Sequence, residues 1–388
     1  MIKILTYKEH HRGKSIIDRY LYLAAYILPF SPEDVLGDDV LEVDGNTFTS
    51  KNSLPKPWKT PRKRTDKYTK LLEKYNIIPS PESPQEPLEQ DYLLAAKLIW
   101  SASHTLYTYI YQSENTESEP TVLPPIRRDH LRNLLTVKMD ELDAELTNIG
   151  TISNKYSKLL LDEVFRYKTF SKNTHAVKLL EDMDVNVCPY CNRLYTMTLT
   201  GNDGKSRPQF DHYKSKSQYP YFAVSLMNLI PSCALCNQSK SDQDVAVLYP
   251  YTDEMALDAV FCTKIESGLN YLTGNKDSLD EFSVILDIVS DNLPEAQKEK
   301  IRLSDKVFNL TRLYNKHKDY ILYLFWKNYV FNDEYLYILC KEFPEIFQSF
   351  KDAKSMMYLM DIDLEQWGRR SLGKLTHDID MEINGKSD

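Results

Sequence analysis

The sequence has little glycine, and it lacks the features of several common protein classes. Glycine supplies 11 of 388 residues, well below the average usage of roughly 7%, which indicates few tight turns and a mostly helical fold. The amino terminus has no apolar stretch with a small-residue cleavage site, so it does not resemble a secretory signal. The most apolar helix-like run, residues 92–111, carries Lys97 and His104 and falls short of a membrane span. These absences predict a cytoplasmic protein with no membrane segment.

A complete nucleotide-binding loop is also missing from the sequence. Gly13-Lys14-Ser15 matches the end of a P-loop, but the first glycine of that motif would fall at position 8, which is Lys8. Any dependence on ATP would therefore have to come from a partner protein.

The remaining composition is that of a folded protein with an uneven charge distribution. The chain is 42% hydrophobic and 27% charged, and its length suffices for two or three domains. Its formal net charge is −8, yet residues 188–240 contain six basic and two acidic residues. A locally positive module on an acidic body is suited to contacting phosphate groups on one face only.

Polar breaks divide the chain into five predicted regions. They are an N-terminal helical and basic region (1–78), a proline-rich linker (79–91), a helical region (92–182), a zinc-containing module (183–250) and a C-terminal helical region (251–388). The basic stretch within the first region could bind a phosphate backbone, or it could be an exposed loop with no specific function.

Apolar spacing predicts the helices and a mainly α fold class. Apolar residues recur at three- and four-residue steps over residues 131–149, which predicts one helix that ends at Gly150. Another helix is expected to end near Tyr111, and one is expected to begin near Tyr156. Further helices are predicted over residues 296–303, 320–330 and 335–343.

Four of the six cysteines form two Cys-x-x-Cys pairs, Cys188 with Cys191 and Cys233 with Cys236. Each Cys-x-x-Cys turn presents two sulfurs to the same ion. The 41 residues between the pairs need only bring the second pair back beside the first. The pairs therefore predict a tetrahedral Cys₄ site for structural Zn²⁺. Such a closed shell leaves no position for substrate, so any chemistry must come from neighbouring residues.

The neighbouring segments predict a small strand, strand, helix unit. A first, half-buried strand is expected over residues 195–200, where apolar residues alternate with threonines. A second strand should run from Arg207 into Phe210-Asp211-His212. A helix is expected to begin within Cys233–Lys240, beside the end of the second strand.

The order of polar residues within this unit resembles a known nuclease family. An Asp211-His212 pair, a central Asn228 and a Cys-x-x-Cys-Asn-x-x-Lys ending are similar to the HNH endonucleases of the ββα-metal class, in their zinc-bearing Cys₄ subgroup. The resemblance covers residues 188–240. It implies a small ββα-metal (HNH) zinc module embedded in the helical protein, and the activity of a metal-dependent DNA endonuclease.

The resemblance also implies a role for each motif residue. His212 would be the general base that activates water, and Asn228 would fix the loop that orients it. Asp211 and Asn237 would ligate a catalytic Mg²⁺ or Mn²⁺ ion through oxygen atoms. Lys240, or alternatively Lys214 or Lys216, would hold the phosphate in line for attack.

The flanking segments extend the resemblance to a biological setting. Residues 165–168, 313–319 and 369–375 are similar to parts of HNH effector subunits from bacterial anti-phage defence systems such as Septu. This implies double-stranded DNA as the substrate and an ABC/SMC-like ATPase as a protein partner. Two alternatives stay open: a catalytically silent, zinc-stapled adaptor for nucleic acid or protein, and an HNH enzyme that cleaves RNA or tRNA.

Overall fold

The computed structural model describes residues 1–5, 9–51, 71, 74–75, 91–112, 123–201, 204–358 and 364–385. Over these residues the chain is mainly helical, which confirms the predicted class. No helix among them is long and apolar enough to cross a membrane. Most of the N-terminal basic stretch and nearly all of the predicted proline-rich linker lie outside the described residues.

The helices of the described residues are spread along the whole chain. They are α1 Gly13–Ile27, α2 Pro32–Leu36, α3 Asp91–Ala102, α4 His104–Ile110, α5 Arg128–Thr136, α6 Ala144–Ile149, α7 Asn154–Leu159, α8 Tyr167–Lys172, α9 Thr174–Met183, α10 Ala234–Lys240, α11 Glu295–Phe308, α12 Leu310–Tyr314, α13 Lys318–Val330, α14 Asp333–Glu342, α15 Phe350–Tyr358 and α16 Gly373–Asn384. A π-helical turn, Leu160–Val164, directly continues α7.

The strands of these segments form separate antiparallel pairs. They are β1 Leu41–Val43 with β2 Asn46–Phe48, β3 Leu199–Gly201 with β4 Gly204–Ser206, β5 Gln209–His212 with β6 Leu229–Ser232, and β7 Ala259–Ile265 with β8 Phe282–Ile288.

The helix predicted over residues 131–149 is two helices, so this expectation was wrong. The first, α5, ends at Thr136, and the next residue, Val137, has an extended backbone. The second, α6, begins after Asp143, whose carboxylate accepts a hydrogen bond from the Leu146 amide at 2.7 Å. An aspartate in this position satisfies a free amide at a helix start, so it begins a new helix where the apolar spacing alone suggested continuity.

The C-terminal region contains a β-hairpin that was predicted as helical. In β7 and β8 the buried side chains alternate, with Ala259 and Phe261 on one strand and Phe282 and Val284 on the other. This is the two-residue period of a strand with one face on the core.

One large core joins most of the described regions, and a small separate cluster contains Leu336, Phe347 and Ala353. The buried residues of the large core run from Met1 to Ile379 and include all four paired cysteines. Helix α1 lies within it, and the hydroxyl of Tyr20 lies 2.9 Å from the main-chain oxygens of both Leu135 and Val224, which share its single hydrogen. The helical scaffold therefore holds the loop between β5 and β6, which belongs to the candidate site.

Candidate metal centre and active site

The four paired cysteines converge on one buried point. Their sulfur atoms all lie within 4.8 Å of one another, and the sulfurs of Cys191 and Cys233 are 4.0 Å apart. A tetrahedral zinc site with bonds of about 2.3 Å separates its sulfurs by about 3.8 Å. The arrangement therefore fits a single metal ion such as zinc.

Local backbone geometry prepares each cysteine pair. Asn192, directly after the first pair, is left-handed with φ of 47°, and its amide donates to the Cys188 carbonyl at 2.8 Å. In the second pair, the Cys233 sulfur caps α10 by accepting from the Cys236 amide at 3.5 Å. Hydrogen bonds from the other thiols, Cys188 foremost, lower the pKa of Cys191, whereas burial raises the pKa of Cys188.

The first cysteine turn also holds the C-terminal segment. The Asn192 side chain donates to the Trp367 carbonyl at 2.8 Å and accepts from the Lys374 amide at 2.9 Å. The hydroxyl of Tyr314 donates to the Cys191 carbonyl at 2.7 Å. Residues distant in sequence thus surround the metal centre.

The strand that ends in Asp211-His212 is present, but its predicted partner strand was wrong. Strand β5 pairs with β6, which lies downstream and leads directly into Cys233. Residues 199–201 pair instead with residues 204–206. Helix α10 follows β6 where a helix was predicted, so the observed order around the site is β5, β6, α10.

The alternating segment 195–200 faces the opposite way to the prediction. Tyr195, Met197 and Leu199 are exposed, whereas Thr196 is buried. The Thr196 hydroxyl donates to a main-chain carbonyl at 2.8 Å, which satisfies its polar atom inside the protein. The apolar side chains are therefore left in contact with solvent.

Helix α10 packs against β5 through the polar side chains of Asn237 and Lys240. The Asn237 amide donates to the side-chain oxygen of Gln209 at 2.6 Å. One turn later, the Lys240 ammonium donates to the His212 carbonyl at 2.5 Å and lies 3.6 Å from the Asp211 carboxylate. These contacts hold α10 against β5, with Asn237 beside Gln209 and Lys240 beside Asp211.

The burial of Lys240 contradicts its predicted role as a phosphate contact. Its side chain is 0% exposed, and its ammonium group is directed at the strand. A lysine in this position neutralises the buried Asp211 and fixes α10 against β5. The sequence motif places a lysine here correctly, but only packing shows which way it points.

Asp211 lies in a closed environment. The residue is 1% exposed, and the Tyr190 hydroxyl donates to its Oδ2 atom at 2.7 Å. Burial raises the pKa of Asp211, and the nearby Lys240 ammonium opposes that rise. Its Oδ1 atom and the side-chain oxygen of Asn237 make no hydrogen bond to any described residue. A carboxylate and an amide oxygen are the donors that Mg²⁺ accepts, so this pair fits such an ion chemically.

The imidazole of His212 is oriented by the main chain. Its Nε2 atom lies 2.9 Å from the Ala223 carbonyl oxygen, which can only accept, so Nε2 carries the hydrogen. Burial, reinforced by Lys216, lowers the pKa of His212 well below its usual value. The ring is therefore neutral, and Nδ1 is its hydrogen-bond acceptor.

Asn228 links the two ends of the loop after β5. Its side-chain oxygen accepts from the Lys214 amide at 2.7 Å, and its amide donates to the carbonyls of Lys214 and Phe222 at 3.1 and 2.9 Å. The segment after His212 is thereby joined to the segment that supplies the Ala223 carbonyl. The asparagine is fully buried, so these bonds are shielded from water.

Several residues that contact the site were not found from the sequence. Gln209 could have been identified, because strand periodicity places it on the same face as Asp211. Tyr190, which donates a hydrogen bond to Asp211, lies between the two cysteines of the first pair, where the motif does not specify the residue type. Tyr167 contacts the His212 ring from helix α8, and no local pattern connects it to the motif.

Comparison with known proteins leaves the site as the main source of functional information. No protein-family model and no solved structure matches the chain. A similar curated protein is protein ea31 of Escherichia phage lambda, which is 30% identical over 107 residues. The match covers 25% of this chain and 33% of the phage protein, so the chain spans about a third of the length of that relative. The name of the phage protein specifies no activity.

Proposed function

We propose that this protein is a metal-dependent HNH endonuclease that hydrolyses DNA phosphodiester bonds. The observation that carries the proposal is the orientation of His212, whose Nε2 atom is bound to the Ala223 carbonyl while Nδ1 remains an acceptor. The same strand supplies the adjacent Asp211, and β5, β6 and α10 follow one another beside the cysteine cluster. This order supports a ββα-metal module with a structural zinc ion.

The residues present can divide the hydrolysis between them. Neutral His212 can accept the proton of an attacking water at Nδ1. Asp211 and Asn237 would hold a Mg²⁺ or Mn²⁺ ion, which when bound supplies a positive charge that stabilises the phosphate and the leaving oxygen. Asn228 keeps the loop in the conformation that presents the Ala223 carbonyl to the imidazole.

Cleavage of supercoiled plasmid by the full chain tests this proposal. Wild-type protein of measured zinc content should cut with Mg²⁺ or Mn²⁺ and should not cut with chelator. His212→Ala should lose cutting by a factor of about 10² or more and retain its zinc and its thermal unfolding transition. His11→Ala, an exposed histidine outside the module, should cut like wild type. Cutting by the His212 variant would show that another group is the base.

One observation favours the non-catalytic alternative. Asp211 is nearly inaccessible, and its Oδ2 atom is occupied by Tyr190 and Lys240. A module closed in this way could act as a zinc-stapled adaptor for nucleic acid or protein. Wild-type protein that binds DNA but does not cut under any divalent condition would support the adaptor. The site would contact mainly the backbone, so it does not itself exclude RNA as the substrate. Cleavage of a DNA duplex and an RNA duplex of the same length, measured in parallel, distinguishes a DNA enzyme from an RNA enzyme.

We also propose, from the sequence resemblance, that the enzyme is the nuclease effector of an anti-phage defence complex. Its partner would be an ABC/SMC-like ATPase, which would supply any ATP dependence. Co-expression of the chain with such an ATPase should give a complex that survives size-exclusion chromatography and cleaves plasmid faster when ATP is present. Equal cleavage with and without ATP would argue against this partnership.

A further inference from the structure

Tyr167 covers the candidate base from outside the motif. The rings of Tyr167 and His212 meet edge to face with centroids 4.5 Å apart. The tyrosine begins α8, directly after the π-helical turn 160–164 and after Arg166, which is left-handed with φ of 47°. Both backbone features are uncommon, and they recur at functional sites, where surrounding contacts maintain them.

The hydroxyl of Tyr167 differs from those of its neighbours. The hydroxyls of Tyr190, Tyr213 and Tyr221 each donate a hydrogen bond to a protein oxygen. That of Tyr167 has no hydrogen-bond partner among the described residues, although its ring packs on His212. The site thus contains an available phenolic donor beside the imidazole.

A lysine also adjoins this phenol. The Lys216 ammonium lies 5.6 Å from the centre of the Tyr167 ring. Burial raises the pKa of Tyr167 to about 12, so the hydroxyl keeps its proton and can donate it in a hydrogen bond. No described acidic residue lies within ion-pair distance of Lys216, whereas Lys214, two residues away, pairs with Asp244 at 3.5 Å.

We propose that Tyr167 and Lys216 form a binding site for a phosphate group of the nucleic-acid backbone, beside His212. A phosphate group accepts hydrogen bonds from a phenol and an ammonium, and its negative charge would pair with the Lys216 ammonium, which has no ion-pair partner among the described residues. The placement of the scissile phosphate there rests on the proposed nuclease function. The binding of the backbone does not depend on that function.

The site also gives the helical region a direct part in substrate recognition. Tyr167 belongs to α8, whereas Lys216 lies in the loop after β5. A phosphate bound between them would bridge the helical region and the small module. This arrangement assigns to Tyr167 the contact that buried Lys240 cannot make.

Binding to a non-cutting variant tests the site without requiring catalysis. The probe is a fluorescein-labelled 20-base-pair DNA duplex of arbitrary sequence, titrated with full-length His212→Ala protein at several salt concentrations. Adding Lys216→Gln should weaken binding several-fold and reduce the slope of log affinity against log salt by about 1. Lys155→Gln, which removes an exposed lysine elsewhere, should leave the slope unchanged. An unchanged slope for the Lys216 variant would overturn the site.

Cleavage by Tyr167→Phe tests the phenol. This variant keeps the ring contact with His212, so it should fold and bind zinc normally while kcat falls by about tenfold. Tyr337→Phe, at an exposed tyrosine, should retain full activity. If wild type cuts and the Tyr167 and Lys216 variants cut equally well, the site is wrong although the nuclease stands. If no protein cuts but the binding slopes change as expected, the nuclease proposal fails and the phosphate site stands.

Discussion

At the residue scale, single side chains connect segments that are distant in sequence. Asn192 accepts the left-handed backbone that follows a cysteine pair, and the same side chain bonds Trp367 and Lys374. Asparagine is one of the few residues that tolerate such a backbone and also offer a donor and an acceptor. Asn192 therefore both shapes the first cysteine turn and attaches residues 364–385 to it.

Asp44 has a comparable role in the N-terminal half. Its carboxylate accepts from Arg19 at 3.0 Å and from Lys178 at 2.7 Å, which links the β1–β2 turn to α1 and α9. The hydrogen bonds from Arg19 and Lys178 lower the pKa of Asp44 to about 2. In the unfolded chain, the pKa of an aspartate is about 3.9. Ionised Asp44 therefore stabilises the fold above that pH, and the stabilisation is lost as pH falls toward 2.

The pH dependence of Asp44→Asn should follow from this depressed pKa. The variant should unfold at a lower urea concentration than wild type at pH 6, and the difference should shrink between pH 4 and pH 2. Urea midpoints measured across this range test the expectation. Asp38→Asn, at an exposed position, serves as the control. A difference that does not change with pH would mean that the ion pairs are not its source.

At the scale of elements, the contact between α10 and β5 depends on one buried charge pair. The Lys240 ammonium lies 3.6 Å from the Asp211 carboxylate, and neither side chain is more than 2% exposed. Replacing Lys240 by methionine would leave Asp211 buried without a counter-charge, which costs about 3–5 kcal/mol of folding free energy. The partly exposed pair of Lys300 with Asp253 is worth about 1 kcal/mol or less.

Chemical unfolding of Lys240→Met, Asp211→Asn and the double variant measures this coupling. We expect the double variant to be more stable than the sum of the single losses predicts, because removal of both charges leaves none unpaired. Lys300→Met provides the comparison at the weaker pair. A Lys240→Met protein as stable as wild type would show that the ammonium group does not support the helix.

The whole molecule is organised around the cysteine cluster and its surroundings. The cluster belongs to the main core, and residues 364–385 are attached to the first cysteine turn through Asn192, while Tyr314 attaches α12 to the same turn. A metal ion bound by the four sulfurs would therefore stabilise more than the small module. Loss of the ion should loosen the distant segment that these bonds retain.

Removal of zinc with a strong chelator tests this long-range effect. Amide hydrogen exchange should become faster in residues 364–385 as well as around the cysteines, and the unfolding temperature should fall. Cys233→Ser should reproduce the effect, whereas Cys262→Ser, outside the cluster, should not. Unchanged exchange in residues 364–385 would show that the C-terminal segment is held independently of the metal.

The sequence alone was sufficient for the features that depend on short spacing. Two Cys-x-x-Cys turns bring their sulfurs together almost regardless of context, and α10 starts where a cysteine caps it. The strand that ends in His212 was also predicted, because its residues and boundaries carry local strand signals. Such features arise from interactions within a few residues, which a single sequence displays directly.

Only the tertiary structure decided the partner of β5, the burial of Lys240 and the contact of Tyr167 with His212. Each depends on which distant segments pack together. A strand pairs with whichever partner the rest of the core presents, and a lysine is buried only where a carboxylate and a carbonyl meet it. The free energy of such contacts is shared among remote residues, so no local pattern in the sequence reports it.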